Sequence, residues 1–229
     1  MMINLFDQFV PPQMLGLKVT LMAMLFPLVV SPWMTNRLLT DRTTTAIKWA
    51  LKKTTKHFMA TLPQQAQNWA LILTSTFFLI LALNIFGLLP YTFTPTTHLS
   101  MNLAMAVPLW LGTVLTGITT QPTASMAHLL PEGTPTPLIP ILILIELISL
   151  LMRPLALAVR LTANITAGHL LLQLISTATF TTIKVMPALS PLPTILLLLL
   201  TALEMAVAGI QAYVFVLLTT LYLKENTYD

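Results

Sequence analysis

Cysteine is missing from all 229 residues. That excludes a disulfide framework, a thiolate-held metal and covalent haem attachment. Charge is nearly as scarce: charged residues make up 8% of the chain, against about 25% in soluble proteins. A chain so poor in charge cannot cover a water-facing surface, so most of its surface must meet lipid or other protein. There is no P-loop glycine pattern either, so any nucleotide chemistry must be done elsewhere.

What is present is apolar. Hydrophobic residues reach 56%, and the mean hydropathy is +0.84. The run Asn68–Pro90 carries no charge over 23 residues, and about 20 apolar residues suffice to span a bilayer. The net charge of +4 is unevenly distributed, with six of the eleven Lys and Arg lying between Arg37 and Lys56. In so apolar a chain this clustering is a topology signal rather than a nucleic-acid footprint.

The first span is expected over 14–34. It contains Lys18 and Pro27 and lacks a small-x-small cleavage pattern, so it reads as part of the mature protein rather than a signal sequence. The basic segment that follows holds an amphipathic helix over 43–59. Ile47, Leu51 and Phe58 fall within about 40° of one another, while Lys48, Lys52, Lys53 and Lys56 point to the other side. Such a helix lies on the bilayer surface with its lysines toward headgroups or water; a solvated basic helix touching a partner is the alternative. Further spans are expected over 69–89 and 99–118. The proline-rich stretch Pro122–Pro140 predicts an interfacial loop.

The two remaining apolar runs, 138–183 and 189–223, are too long for an upright crossing. A helix over the second measures about 52 Å, against roughly 30 Å of hydrocarbon. Dividing the first would need a polar turn near Arg153-Pro154, but Leu151, Met152, Leu155 and Ala156 surround it. The expected fold is therefore an all-α membrane protein, a single integral membrane domain over 1–229. It has five crossings and one amphipathic surface helix, with the last two helices long and strongly tilted as a hairpin. The positive-inside rule puts the Arg37–Lys56 segment inside, which sets the N-terminus outside and the C-terminus inside.

A charge at mid-bilayer costs about 2.5–3.5 kcal/mol on insertion scales and usually faces a cavity or a partner. Glu146, Arg153, Arg160 and Glu204 all lie in the last two runs, whereas the second and third spans contain none. Glu146, Arg153 and Arg160 recur every seven residues and drift only about 20° per step, so they share a face. Ala156, Ala163 and Ala167 lie close to Arg160 on it, and small side chains let another helix approach. Asn164, one turn on, can bond the guanidinium or a water. His169 falls about 180° around the helix from Arg160. In the last run Glu204, Ala208 and Gln211 share a face. Plainer roles stay open. Arg160 and Glu204 could form a structural ion pair; Glu146 could neutralise Arg153, although seven residues is about 10 Å of rise. Arg153 could be structural or face headgroups, and His169 could be a packed interior histidine.

The run Arg160-Leu161-Thr162-Ala163-Asn164-Ile165-Thr166-Ala167-Gly168-His169 closely resembles the signature of subunit a of F-type ATP synthases. Glu204-Met205-Ala206-Val207-Ala208-Gly209-Ile210-Gln211-Ala212-Tyr213-Val214-Phe215 is similar to that family's second signature. The opening Asn4-Leu5-Phe6-Asp7-Gln8-Phe9 and the Leu/Thr/Met-rich composition resemble the vertebrate mitochondrial form, and the likeness covers essentially the whole chain. Arg153-Pro154 departs from the neutral residue found in some of those relatives, outside the motif.

The resemblance implies a stator beside a ring of c subunits, with two offset aqueous half-channels serving the ring's carboxylates. Arg160 would separate the half-channels. Glu204 and His169 would belong to the one open to the intermembrane space, and Glu146 to the one open to the matrix, with Asn164 and Gln211 in support. The implied partners are the c ring, peripheral-stalk subunit b, subunit 8 and other small membrane subunits, the lipid bilayer and protons, and no nucleic acid. The implied location is the mitochondrial inner membrane, with the N-terminus in the intermembrane space and the C-terminus in the matrix. No cofactor or metal is expected, and the chain would not be an enzyme by itself. The residue types suit that task. Arginine keeps its proton under any accessible condition, whereas buried glutamate and histidine can exchange theirs near neutrality.

Two rival classes stand beside this reading. A cation/proton antiporter would also hold intramembrane carboxylates, but such folds show internal repeats and broken helices, and here the charges crowd into one hairpin. A structural subunit of a respiratory complex would have no need of an arginine on an alanine stripe. A haem protein would require paired helical histidines that are missing.

Overall fold

The computed structural model describes residues 9–10, 13–14, 17–18, 42–60, 62–89, 92–120, 122 and 138–227. Five helices carry most of them: α1 (Arg42–Met59), α2 (Ala70–Gly87), α3 (Leu99–Thr120), α4 (Ile139–Val185) and α5 (Pro191–Thr227). Among the described residues, four helices are long and apolar enough to cross a membrane, corresponding to α2 through α5. The protein is thus a nearly all-helical membrane protein.

The start of the chain differs from expectation. Residues 14, 17 and 18, placed in the first span, belong to two-residue strands. β1 (Gln13–Met14) and β2 (Leu17–Lys18) pair antiparallel with Gln13 opposite Lys18 and Met14 opposite Leu17. An apolar run by itself does not separate a short paired segment from a helix start. The rest of that span, 19–34, lies outside the described residues, as does most of the loop over 122–140.

Helix α2 is preceded by a 3-10 turn over Gln64–Trp69 that begins after Pro63, whose φ of −65° already suits a helical entry. Helix α4 runs unbroken for 47 residues with Pro154 inside it, and α3 likewise contains Pro108. Proline removes one ladder bond, and in a membrane helix neighbouring groups can take up the freed carbonyl. At about 1.5 Å per residue α4 and α5 are roughly 70 and 55 Å long, beyond the ~30 Å hydrocarbon core. A short turn joins them: Pro187–Leu189 is 3-10, and the Ser190 hydroxyl donates to the Pro187 carbonyl at 2.8 Å.

The threonine-rich composition becomes intelligible at this level. Thr74, Thr113, Thr166 and Thr219 each donate their hydroxyl to a carbonyl three or four residues earlier, at 2.7–2.8 Å. A hydroxyl satisfied within its own helix can sit in apolar surroundings without the cost of an unmade bond. The surface is correspondingly apolar, with Leu71 77% exposed and Leu192 and Leu198 each 71%. A soluble protein rarely presents contiguous patches of that kind; lipid accommodates them.

The contacts fall into two compact units. One contains residues 79–99 and 160–212; the other contains 32–78, 100–159 and 213–229. In the second, the end of α1 is anchored by Phe58, 4% exposed, whose ring meets Phe77 of α2 and Tyr213 of α5 at 5.6 and 5.8 Å between centroids. The same unit ties the end of α5. Arg153 forms an ion pair with Glu225 at 2.6 Å and lies over the Tyr222 ring, while the Asn226 amide donates to the Thr113 carbonyl at 3.1 Å. These contacts lie where the last apolar run gives way to Lys224-Glu225-Asn226, and α5 continues to Thr227.

Candidate functional site

Five of the six candidate residues, Arg160, Asn164, His169, Glu204 and Gln211, lie in the unit built from 79–99 and 160–212, and Glu146 lies in the other. Helix α4 divides its residues cleanly. Leu161, Thr162 and Ile165 are buried, whereas Arg160, Ala163, Asn164 and Ala167 are exposed. The arginine therefore stands on the outer face of its helix among alanines, with Asn164 beside it. Arg160 makes no ion pair among the described residues, and Glu146, half-buried, makes none either.

The opposite side of α4 turns toward α5. There the His169 Nε2 comes within 3.9 Å of the Glu204 Oε1. Glu204 is 8% exposed, and both carboxylate oxygens are buried without a hydrogen-bond partner among the described residues. A separation of 3.9 Å exceeds a direct hydrogen bond. On the same face of α5, Ala208 and Gln211 are 4% and 8% exposed. Glu204 thus faces His169 rather than Arg160, so a structural Arg160–Glu204 ion pair is not what this structure forms. Arg153 is bound to Glu225 rather than to Glu146.

Three further residues belong to this neighbourhood. A Cβ on Gly168 would lie 2.7 Å from Glu204 Oε1, so the glycine makes room for the carboxylate. Asn84 of α2 donates its amide to the Ala208 carbonyl at 3.4 Å, and its own Oδ1 is buried without a partner among the described residues. The Gln173 Oε1, one turn beyond His169, is likewise buried without a partner among the described residues. Each was visible in the sequence as a small or polar residue in an apolar run, but no local pattern tied it to Glu204.

The contact at Gly168 makes a test. Gly168→Ala is expected to displace the Glu204 side chain and to destabilise the protein by about 1 kcal/mol, the low end of overpacking costs, because the nearest atom met is the end of a flexible side chain. Gly209→Ala, where an added Cβ meets nothing within 4 Å among the described residues, is the matched control and should not lower stability. Equal thermal unfolding midpoints for the two variants would remove the steric role.

A set of long apolar helices holding an exposed arginine, with a buried carboxylate and a half-buried imidazole behind it, defines a polytopic membrane protein with ionisable groups inside its apolar helices. Comparison with known proteins gives that class its family. Residues 14–224 match the model of the ATP synthase A chain family. The chain is 59% identical over 226 residues to "ATP synthase F(0) complex subunit a" of Struthio camelus, covering 99% of this chain and 100% of that one. It is 56% identical to the protein of the same name from Latimeria chalumnae and 54% identical to that from Salmo salar, with the same coverage. The chain belongs to the ATP synthase A chain family.

Proposed function

We propose that this chain is the proton-translocating stator subunit of the membrane sector, offering two offset half-channels that protonate and deprotonate the carboxylates of an adjacent c ring. The observation that carries the reading is the split of polar groups across α4: an exposed Arg160 on an alanine face, without an ion pair among the described residues, and the half-buried His169 facing the buried Glu204 on the other. A single file of polar groups through the membrane would leak protons. Polar groups on either side of a fixed cation do not.

In this mechanism a proton enters from the intermembrane space, passes by way of His169 and Glu204, and is handed to a ring carboxylate. The ring turns, and a protonated carboxyl reaching the other half-channel releases its proton toward Glu146 and the matrix. Arg160 attracts the carboxylate left behind and holds it ionised until the next proton arrives. Because a guanidinium does not surrender its own proton, it also closes the direct route between the half-channels. Asn164 and Gln211 orient water and the guanidinium. The driving force is the transmembrane field, about 2.3 kcal/mol per proton per 100 mV.

The same reading places the N-terminus in the intermembrane space and the C-terminus in the mitochondrial matrix, with α1 on the matrix surface. Both long helices then incline to fit the membrane thickness. Besides the ring, the partners are peripheral-stalk subunit b, subunit 8 and other small membrane subunits. ATP chemistry is left to other subunits.

The native lack of cysteine makes the arrangement directly measurable. Cysteine placed at Ala163 or Ala167 should cross-link to a cysteine beside the acidic residue of a proteolipid helix in the assembled complex. Cysteine at Leu161, which is 1% exposed, should not. Cross-linking from position 161 with none from 163 or 167 would turn the wrong face of α4 to the ring and sink the proposal.

A further inference from the structure

An apolar groove of about 500 Å³ opens beside the C-terminal end of α1, in the unit formed by 32–78, 100–159 and 213–229. That is within the ~300–1,000 Å³ of small-molecule sites. Its apolar wall includes Phe58 of α1 and Phe77 of α2. Lys53, Lys56 and His57 lie along the α1 side, and Tyr213 of α5 closes it. The parts are held in place rather than merely adjacent. His57 Nε2 and the Tyr213 hydroxyl share a hydrogen bond of 3.1 Å, and Phe58 packs edge-on against Phe77. The Thr54 hydroxyl donates to the Ala50 and Leu51 carbonyls at 2.9 and 3.0 Å, so its donor is already engaged. From this geometry we propose that the groove is a binding site for one anionic diacyl phospholipid, with an acyl chain against Phe58 and Phe77 and the phosphate held by Lys53 and Lys56.

Charge and depth select that occupant. Helix α1 has no acidic residue from Arg42 to Met59, and Lys48, Lys52, Lys53 and Lys56 are all exposed. The field at the groove mouth is therefore positive, and each such lysine near a membrane surface adds appreciably to attraction for anionic lipid. Phe77 lies seven residues into α2, about 10 Å along its axis, so the groove reaches from interfacial lysines into the apolar span. Trp49, 66% exposed, lies under the Lys53 ammonium at 4.9 Å, a pairing suited to the headgroup level. A soluble anion would be served by the lysines and would leave the aromatic wall unused. A diacyl phospholipid uses both. The proposal does not depend on the proton path.

The test uses the intact complex, stripped of lipid and returned to nanodiscs of phosphatidylcholine containing a small fraction of phosphatidylglycerol. Phosphatidylglycerol retained by the complex is measured by native mass spectrometry. The wild type should hold one such lipid at this site in preference to phosphatidylcholine. The double variant Lys53→Gln/Lys56→Gln should hold it about 30-fold more weakly, whereas Lys53→Arg/Lys56→Arg should retain it. Ala60→Trp, which fills the groove and leaves the lysines intact, should also lose it. Millimolar inorganic phosphate should not displace it. Equal retention of the two lipids, undiminished binding in the Gln double variant, binding that survives Ala60→Trp, or ready displacement by phosphate would each overturn the site. The last two outcomes would leave only diffuse surface charge or a plain anion subsite.

Discussion

Replacing Arg160 with alanine is expected to lower proton-driven ATP synthesis about 100-fold or more and to open a passive leak. The size follows from the cost of an ionised group in the membrane, about 2.5–3.5 kcal/mol on insertion scales. On the proposed mechanism, without the guanidinium a ring carboxylate would bear that cost alone when it gives up its proton, and the same change would remove the barrier between the two half-channels. The structure makes the substitution clean. Arg160 is exposed and has no ion-pair partner among the described residues, so alanine leaves no buried charge stranded, and the helix is flanked by alanines already. Arg160→Lys is the stricter version, because lysine restores a cation that can lose its proton; coupling should remain poor. ATP synthesis and passive proton conductance, measured in the same vesicles, decide the matter. Normal ATP-driven pumping by either variant would reject the role.

Glu204→Gln is expected to have the second largest effect. The amide keeps the size of the side chain and its place against Gly168, but it cannot pass a proton. If the carboxyl relays protons, flux should fall about 100-fold, in the range seen when a positioned acid–base group is lost, while the complex still assembles. Both carboxylate oxygens are buried without a hydrogen-bond partner among the described residues, and His169 stands 3.9 Å away. Any loss of flux caused by Gly168→Ala should largely vanish in the Glu204→Gln background, because both changes then act on the same proton step. Unchanged flux in Glu204→Gln would reduce the glutamate to a packing element.

The contrast between Arg160 and Glu204 shows how far sequence reasoning reaches. That Arg160, Asn164 and the alanines share one face of α4, with His169 on the other, follows from 100° per residue along one helix, and burial divides α4 in that way. The partner of Glu204 did not follow. A pair of opposite charges on neighbouring helices, Arg160 and Glu204, is as natural on paper as the observed approach to His169. The choice between them depends on the register of α5 against α4, and Gly168 is the residue that lets the carboxylate in. Arg153 is similar: Glu146 was the acid on its own helix face, yet Glu225, 72 residues away in sequence, holds it.

Composition and hydropathy by themselves determined that this is a helical membrane protein, and helical periodicity determined which charged and small side chains share a face of α4. Those properties are local or additive, and they survive ignorance of the neighbours. Only the tertiary structure decided the partners across helices: His169 for Glu204, Glu225 for Arg153, and the convergence of Phe58, Phe77 and Tyr213 around a groove. Such contacts arise from the relative register and close approach of segments far apart in the chain, which no periodicity within a single segment specifies.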